Sequence, residues 1–315
     1  MRRTGWRRRD VLKALSGAAA IGAVAGRGRL RETQVKWSSG TEPPDLKAPA
    51  NATDCHHHIY DARFPAAPNA VLHPPDALVE DYRALQRRIG TTRSVIIQPS
   101  TYGTDNSCAL AALAALGPAA RMVAVVDTTV ADTDLKRLDG LGVRGIRFNL
   151  AQAGATTPEM IEPLARRVAP LGWHIQINAS ADRIGEILPI LERVPTPIVF
   201  DHLAHIPQPD GIAHPLFSRI LGLLATGRTW VKLSGAYLDS KIGPPTYEDT
   251  SIVARTYVAA VPERLVWGSD WPHPTEPLDR KPDDAVLFDL LTDWAPDASV
   301  RQRILVENPA ALYRF

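Results

Sequence analysis

The sequence has little cysteine, no apolar run long enough to cross a bilayer and no glycine-rich phosphate turn. Each absence removes a class of protein. Cys55 and Cys108 are the only cysteines among 315 residues, so neither a disulfide framework nor a four-cysteine metal centre is available. The apolar stretch "ALSGAAAIGAVAG" is rich in Gly and Ala and falls short of the about 20 apolar residues a membrane span needs. No Gly-rich loop follows the first strand pattern, which argues against a doubly wound dinucleotide-binding sheet.

The charge is present but unevenly placed. Arg2, Arg3, Arg7, Arg8, Arg9 and Lys13 face the single acid Asp10 within residues 1–25, ahead of the short apolar stretch and Ala23-Val24-Ala25. A basic start, an apolar middle and a small-residue cleavage site are the parts of an export signal. The string Arg8-Arg9-Asp10-Val11-Leu12-Lys13 resembles the twin-arginine signal, which implies a bacterial protein, the twin-arginine export machinery as partner and a periplasmic location. Losing these six positive charges and one negative takes the formal net charge from +2 to −3. A nucleic-acid-binding role thereby loses its main support.

Residues 26–50 lack sustained periodicity, contain Pro43, Pro44 and Pro49, and read as a flexible linker into a domain over 51–315. Within that domain short apolar runs at 52–59, 93–99, 121–127, 143–149, 173–178, 197–202, 229–234 and 264–269 alternate with amphipathic segments such as 76–89, 157–169, 182–193, 215–225, 247–260 and 284–294. Eight strand-helix units in about 265 residues predict a single-domain (β/α)₈ TIM barrel, distorted or regular. Polar residues recur where the runs end: His56 and His58, Gln98 and Ser100, Asp127, Arg147 and Asn149, Gln176 and Asn178, Asp201 and His202, Lys232 and Ser234, Asp270. In a barrel those ends meet at one rim, where barrel enzymes carry their active sites.

The densest cluster is "DCHHHIYD" at 54–61. Strand alternation puts His56 and His58 on one face and sends Cys55 and His57 outward, toward the helices. His56, His58 and Asp270 are three plausible ligands for a catalytic metal, the minimum for a zinc site with an open position. Arg147 shares the inward face with Asn149 and can hold a carboxylate through two parallel bonds. His205, His214 and His273 read as loop residues outside the catalytic set, and Trp271 as loop packing.

The ordered motifs "DCHHHIYD", "IIQPSTYGTDN", "GVRGIRFN", "VFDHLAHI", "WGSDWPHP" and "ENPAALYRF" resemble the amidohydrolase superfamily, in its amidohydrolase-2 branch of 2-pyrone-4,6-dicarboxylate lactonases, sugar-acid lactonases and galactarolactone isomerases. The resemblance implies Asp270 as general base on water, His202 assisting at the carbonyl beside His56 and His58, and Ser100 touching substrate. Metal-dependent members add a histidine at the end of the fifth strand. Here "WHIQINAS" ends that strand with Gln176 and Asn178, and the branch includes members that work without a metal. The expectation is therefore a hydrolase needing no cofactor, with one Zn or Mn ion as the alternative. The dicarboxylate lactonases carry a second arginine after "RFN". This chain has "LAQAGATT", which points to a substrate with one carboxylate, held by Arg147, Ser100, Asn149 and Asn178. A lactone isomerase, a metal-dependent decarboxylase and a periplasmic sugar-acid binder are the competing readings.

Overall fold

The computed structural model describes residues 34–151 and 154–315. Eight strands, β1 (Thr53–His57), β2 (Arg93–Ile97), β3 (Ala120–Ala124), β4 (Val143–Asn149), β5 (His174–Asn178), β6 (Ile198–Phe200), β7 (Thr229–Leu233) and β8 (Leu265–Trp267), form one sheet in sequence order. Every neighbouring pair is parallel, as short Val/Ile-rich strands buried on both faces require. The helices between them include α1 (Val79–Ile89), α2 (Ser107–Leu116), α3 (Asp132–Leu141), α4 (Ile161–Val168), α5 (Ala181–Leu191), α6 (Pro215–Ala225), α7 (Ala236–Asp239), α8 (Glu248–Ala260) and α9 (Asp284–Trp294). This is the (β/α)₈ barrel that the strand-helix alternation predicts. In α1, Tyr82, Leu85 and Ile89 fall on one buried face, and Gly90 ends the helix at φ 84°, a conformation glycine adopts without a Cβ penalty.

The barrel closes beyond β8, not along it. His57 bridges Trp271, Asp270 N–H donates to His56 O at 2.7 Å, and His58 N–H donates to Trp271 O at 2.8 Å. Asp54 stitches the same seam by accepting from Ser269 N at 2.9 Å, Ser269 Oγ at 2.6 Å and Tyr82 OH at 3.1 Å. Burial pushes its carboxyl up to about 6 despite those bonds. Gly268 is obligatory here, since a Cβ would lie 2.6 Å from the His56 Cβ and 2.8 Å from its backbone nitrogen. The closure therefore fixes Asp270 beside the histidines of β1.

The larger apolar cluster lies between barrel and helices and includes Ile96, Met122 and Ile146. A smaller one, with Val95, Ile97, Val123, Val199, Val266 and Tyr313, fills the lower interior. Cys55 belongs to this inner cluster, which corrects the outward placement predicted by alternation. The cause is a register shift between Asp54 and His57 that lets Cys55 and His56 both face the interior. His57 does point outward, stacked on Tyr82 at 3.6 Å between ring centroids.

Residues 34–50 differ from the flexible linker predicted for them. Val35 and Ser38 are buried, Trp37 Nε1 donates to Asp76 O at 3.0 Å, and Trp271 Nε1 donates to Lys36 O at 2.8 Å. Arg88 on α1 donates to Glu42 O and Ser39 O, while Asp289 on α9 accepts from the backbone of Asp45 and Leu46. The segment is a strap tied to two helices and to the loop after β8. The export signal predicted over 1–25 lies outside the described residues. Among the described residues no helix is long and apolar enough to cross a membrane.

Candidate active site

Asp270 is the hub of the rim. Its Oδ1 lies 3.4 Å from His56 Nε2, 3.5 Å from His58 Nε2 and 3.8 Å from His202 Nε2, and the two nitrogens of the His-x-His pair are 3.3 Å apart. Its Oδ2 accepts a 2.6 Å bond from Tyr237 OH. Burial alone would raise this carboxyl, but the imidazoles of His202, His58 and His56 hold it well below the usual carboxylate range. Burial, with Asp270 alongside, pushes the Tyr237 phenol far up, so it stays a donor. Burial also brings His202 down to about 4, making it neutral at neutral pH.

Tautomers follow from partners that can only accept or only donate. His58 Nδ1 faces Ile97 O at 2.8 Å and must donate to it, which leaves an acceptor lone pair on Nε2. His202 Nδ1 meets the Ser234 hydroxyl at 3.0 Å, and a hydroxyl can play either part.

Beneath the rim sits a charged layer inside the barrel. Asp201 Oδ2 accepts from Arg147 Nε at 3.1 Å and Gln176 Nε2 at 3.1 Å. Lys232 Nζ donates to Cys55 O at 2.9 Å and Gln176 Oε1 at 2.9 Å, 3.3 Å from His56 Nδ1. Burial brings the lysine down to about 8. Burial would raise the Asp201 carboxyl, but His56, Lys232 and Arg147 around it hold it well below its usual range.

A cavity of about 130 Å³ opens above these groups, lined by His58, Tyr60, Ser100, Arg147, Asn149, Asn178, His202, His205 and Asp270 among others. Of the predicted residues, His58, His202, Asp270, Ser100, Arg147, Asn149 and Asn178 therefore share one wall, while His56 lies just behind it. Asn178 Nδ2 donates to Asn149 Oδ1 at 3.0 Å, and its own oxygen meets His205 Nε2 at 2.9 Å. Two other polar strand ends do loop work instead: Gln98 donates to Asp105 O and Asp127 accepts from Thr129.

Three functional candidates were not legible as such. His205 lines the cavity and pairs with Asp239 at 2.9 Å. His273 is fully buried, not a solvated loop residue, with Nδ1 at 3.1 Å from Tyr237 OH and Nε2 at 3.1 Å from Asp284. Tyr237 itself carried no sequence signal, while His273 did stand between two prolines in "WPHP", a restrained setting for a surface residue. The two loops that carry His205 and His273 depart from ordinary backbone: His202, Leu203, Ala204 and His205 have φ of 49°, 55°, 59° and 47°, and Asp270 and His273 have 63° and 55°. Gly235 makes room for the first loop, since a Cβ there would meet His202 Nδ1 at 2.7 Å.

His56, His202 and Asp270 offer ligand atoms within 4.8 Å of one another. The triangle of His56 Nε2, His58 Nε2 and Asp270 Oδ1, with sides of 3.3, 3.4 and 3.5 Å, is nearer still to a coordination shell. Ligands about 2.1 Å from a tetrahedral ion stand roughly 3.4 Å apart, so the spacing fits one divalent ion.

An amidohydrolase family profile matches residues 53–315. The chain belongs to the amidohydrolase family. Over 289 residues this amidohydrolase is 34% identical to a 2-pyrone-4,6-dicarboxylate hydrolase of Comamonas testosteroni, covering 88% of this chain and 94% of that protein. It is 33% identical over 284 residues to a D-galactarolactone isomerase of Agrobacterium fabrum, covering 89% and 97%. An apo crystal structure from Agrobacterium tumefaciens superposes with a TM-score of 0.82 at 32% identity, covering 89% of this chain and 99% of that one.

Proposed function

We propose that this amidohydrolase is a hydrolase that opens the ester of a small lactone bearing one carboxylate. The observation that carries the reading is Asp270: a buried, ionised carboxylate at the wall of a small cavity, one oxygen capped by Tyr237 and the other facing three imidazoles. Asp270 takes a proton from water as that water attacks the carbonyl carbon. His202 stabilises charge developing on the carbonyl oxygen, because Ser234 can donate to its Nδ1 and leave the ring proton on Nε2, facing the site. His56 and His58 stand against the same carboxylate oxygen of Asp270, and the His58 Nε2 lone pair is placed to accept from the attacking water.

Substrate class follows from the lining. Arg147 is anchored by its Nε, and among the described residues its terminal nitrogens have no hydrogen-bond partner, so they are free to grip a single carboxylate end-on. Asn149 uses its oxygen on Ala151 N and Asn178, which leaves its amide nitrogen for the ligand. The hydroxyls of Tyr60 and Ser100, without partners among the described residues, suit a hydroxylated ring. A cavity of about 130 Å³ holds a single ring and little more.

One divalent ion, Zn or Mn, held by Asp270 with His56 and His58 or His202, would acidify a bound water and polarise the carbonyl. We infer that ester opening runs on the chain's own groups, so a chelator should leave turnover intact; loss of activity on chelation, restored by Zn²⁺ or Mn²⁺, would refute that. An isomerase is the second reading, favoured by the same buried base and tight cavity: a substrate hydroxyl takes the place of water. Proton NMR of a panel of carboxylated lactones separates the two, since hydrolysis yields a hydroxy acid and isomerisation a new lactone. Silence across the panel would overturn both.

We also infer that the protein acts after twin-arginine export. Replacing Arg8 and Arg9 together by lysine should strand it in the cytoplasm of a fractionated bacterial host; unchanged periplasmic yield would refute the assignment.

A further inference from the structure

We propose that Lys232 is a built-in cation that fixes the tautomer of His56 and thereby keeps the site free of metal. An ammonium has three donors and no lone pair. Two of them are committed, to Cys55 O at 2.9 Å and to Gln176 Oε1 at 2.9 Å. The Gln176 amide cannot turn away, because its nitrogen donates to Asp201 Oδ2 at 3.1 Å. The third donor meets His56 Nδ1 at 3.3 Å, nearer than Asp201 Oδ1 at 3.5 Å.

At that contact His56 Nδ1 must accept, so the ring proton sits on Nε2. There it finds an acceptor, the His58 Nε2 lone pair at 3.3 Å, whose own tautomer is set by the bond from Nδ1 to Ile97 O. The network closes without an ion. A protonated Nε2 cannot ligate a metal, and the buried ammonium repels any second cation brought close to it.

The alternative is also built in. Asp201 Oδ1 is buried, 3.2 Å from His56 Nδ1 and ion-paired with Lys232 Nζ at 3.5 Å. If the ring proton moves to Nδ1 to satisfy this oxygen, the Nε2 lone pair is released toward His58 Nε2 and Asp270 Oδ1, the triangle whose spacing fits a tetrahedral ion. Lys232 and Asp201 thus compete for one nitrogen. While the lysine wins, His56 donates to His58; when it is removed, His56 becomes a ligand.

The test compares zinc affinity, by competition with a chromophoric chelator, in the full-length wild type, Lys232→Met and Lys232→Arg. Lys232→Met should bind one zinc about tenfold or more tighter than wild type, while Lys232→Arg, which keeps the charge, should not. Equal affinity in wild type and Lys232→Met overturns the assignment. Because the methionine variant can fail to fold, a second measurement uses wild type alone: in ¹⁵N-histidine NMR of the zinc-free protein, His56 should carry its proton on Nε2. A proton on Nδ1 overturns the assignment as well. Neither readout depends on turnover, so the lactone reading can fail while this result stands, and the reverse.

Discussion

At the floor of the barrel, Arg93 and Arg121 stack over the ring of Phe315 at 5.2 and 4.8 Å, and Arg121 donates to Arg314 O. Above them His174 packs edge-on against Tyr313 in a fully buried layer shared with Cys55, Val95 and Val123. At the rim, four residues in a row after β6 and two after β8 hold left-handed backbone, and side-chain nitrogens and hydroxyls face a cavity. Such backbone costs of order 1–3 kcal/mol per residue and persists only where the surroundings over-determine it. The floor invests its interactions in closure, whereas the rim holds polar groups ready for a partner that is not protein. The same eight strands therefore end in two different chemistries, and mutations at the two ends should separate activity from stability.

The largest separation is expected at the rim. Asp270→Asn should lower kcat on the order of 10³–10⁴-fold with the thermal midpoint little changed, and near-normal turnover would remove Asp270 as the base. A stability effect read at the floor comes next, alongside a loss of the same sign from His202 at the rim. Burial brings His174 down to about 3 from 6.5, so between those values the unfolded chain binds a proton the native one refuses, and stability falls as pH falls below 6.5. Asp54, raised to about 6 from 3.8, acts in the opposite direction between its two values and blunts the loss. Urea unfolding at pH 7 and pH 5 should show roughly 2 kcal/mol of acid loss from His174 that a His174→Gln chain lacks. An identical loss in both would discredit the histidine as its source.

Tyr237→Phe should reduce kcat about tenfold with KM nearly unchanged, and should move the acid limb of the rate profile upward, because the carboxylate loses its shortest donor. The groups facing that carboxylate are His56, His58, His202 and Tyr237, so the limb reports their sum. An unchanged profile would make Tyr237 a packing residue. The smallest effect is Phe315→Ala, which should cost about 1 kcal/mol of stability through the lost arginine contacts and leave kcat alone. A change in kcat would mean that floor and rim are coupled after all.

The contrast also explains what the sequence could disclose. Strand positions are legible because apolar runs of the right length end in polar residues, and His56, His58, Arg147, Asn149, His202 and Asp270 follow from those ends. Cys55 is misplaced because a register shift is a matter of backbone geometry, which side-chain alternation does not encode. His273 enters through a left-handed loop and Tyr237 on the one-turn helix α7 that follows Gly235, and no periodicity describes either. The packed course of residues 34–50 was hidden because its anchors, Val35, Trp37 and Leu46, are single apolar residues in a proline-containing stretch. Lys232 was legible as an inward polar residue, but the competition for His56 Nδ1 depends on distances of a few tenths of an ångström.

The strap has a practical consequence for anyone who handles the protein. Lys36 accepts from the indole of Trp271, the residue next to Asp270, and Ser38 accepts from the backbone of Asp284, the partner of His273. A purification tag joined just ahead of Val35 would lean on the loop that carries the base, and one appended after Phe315 would pull at the arginines of the floor.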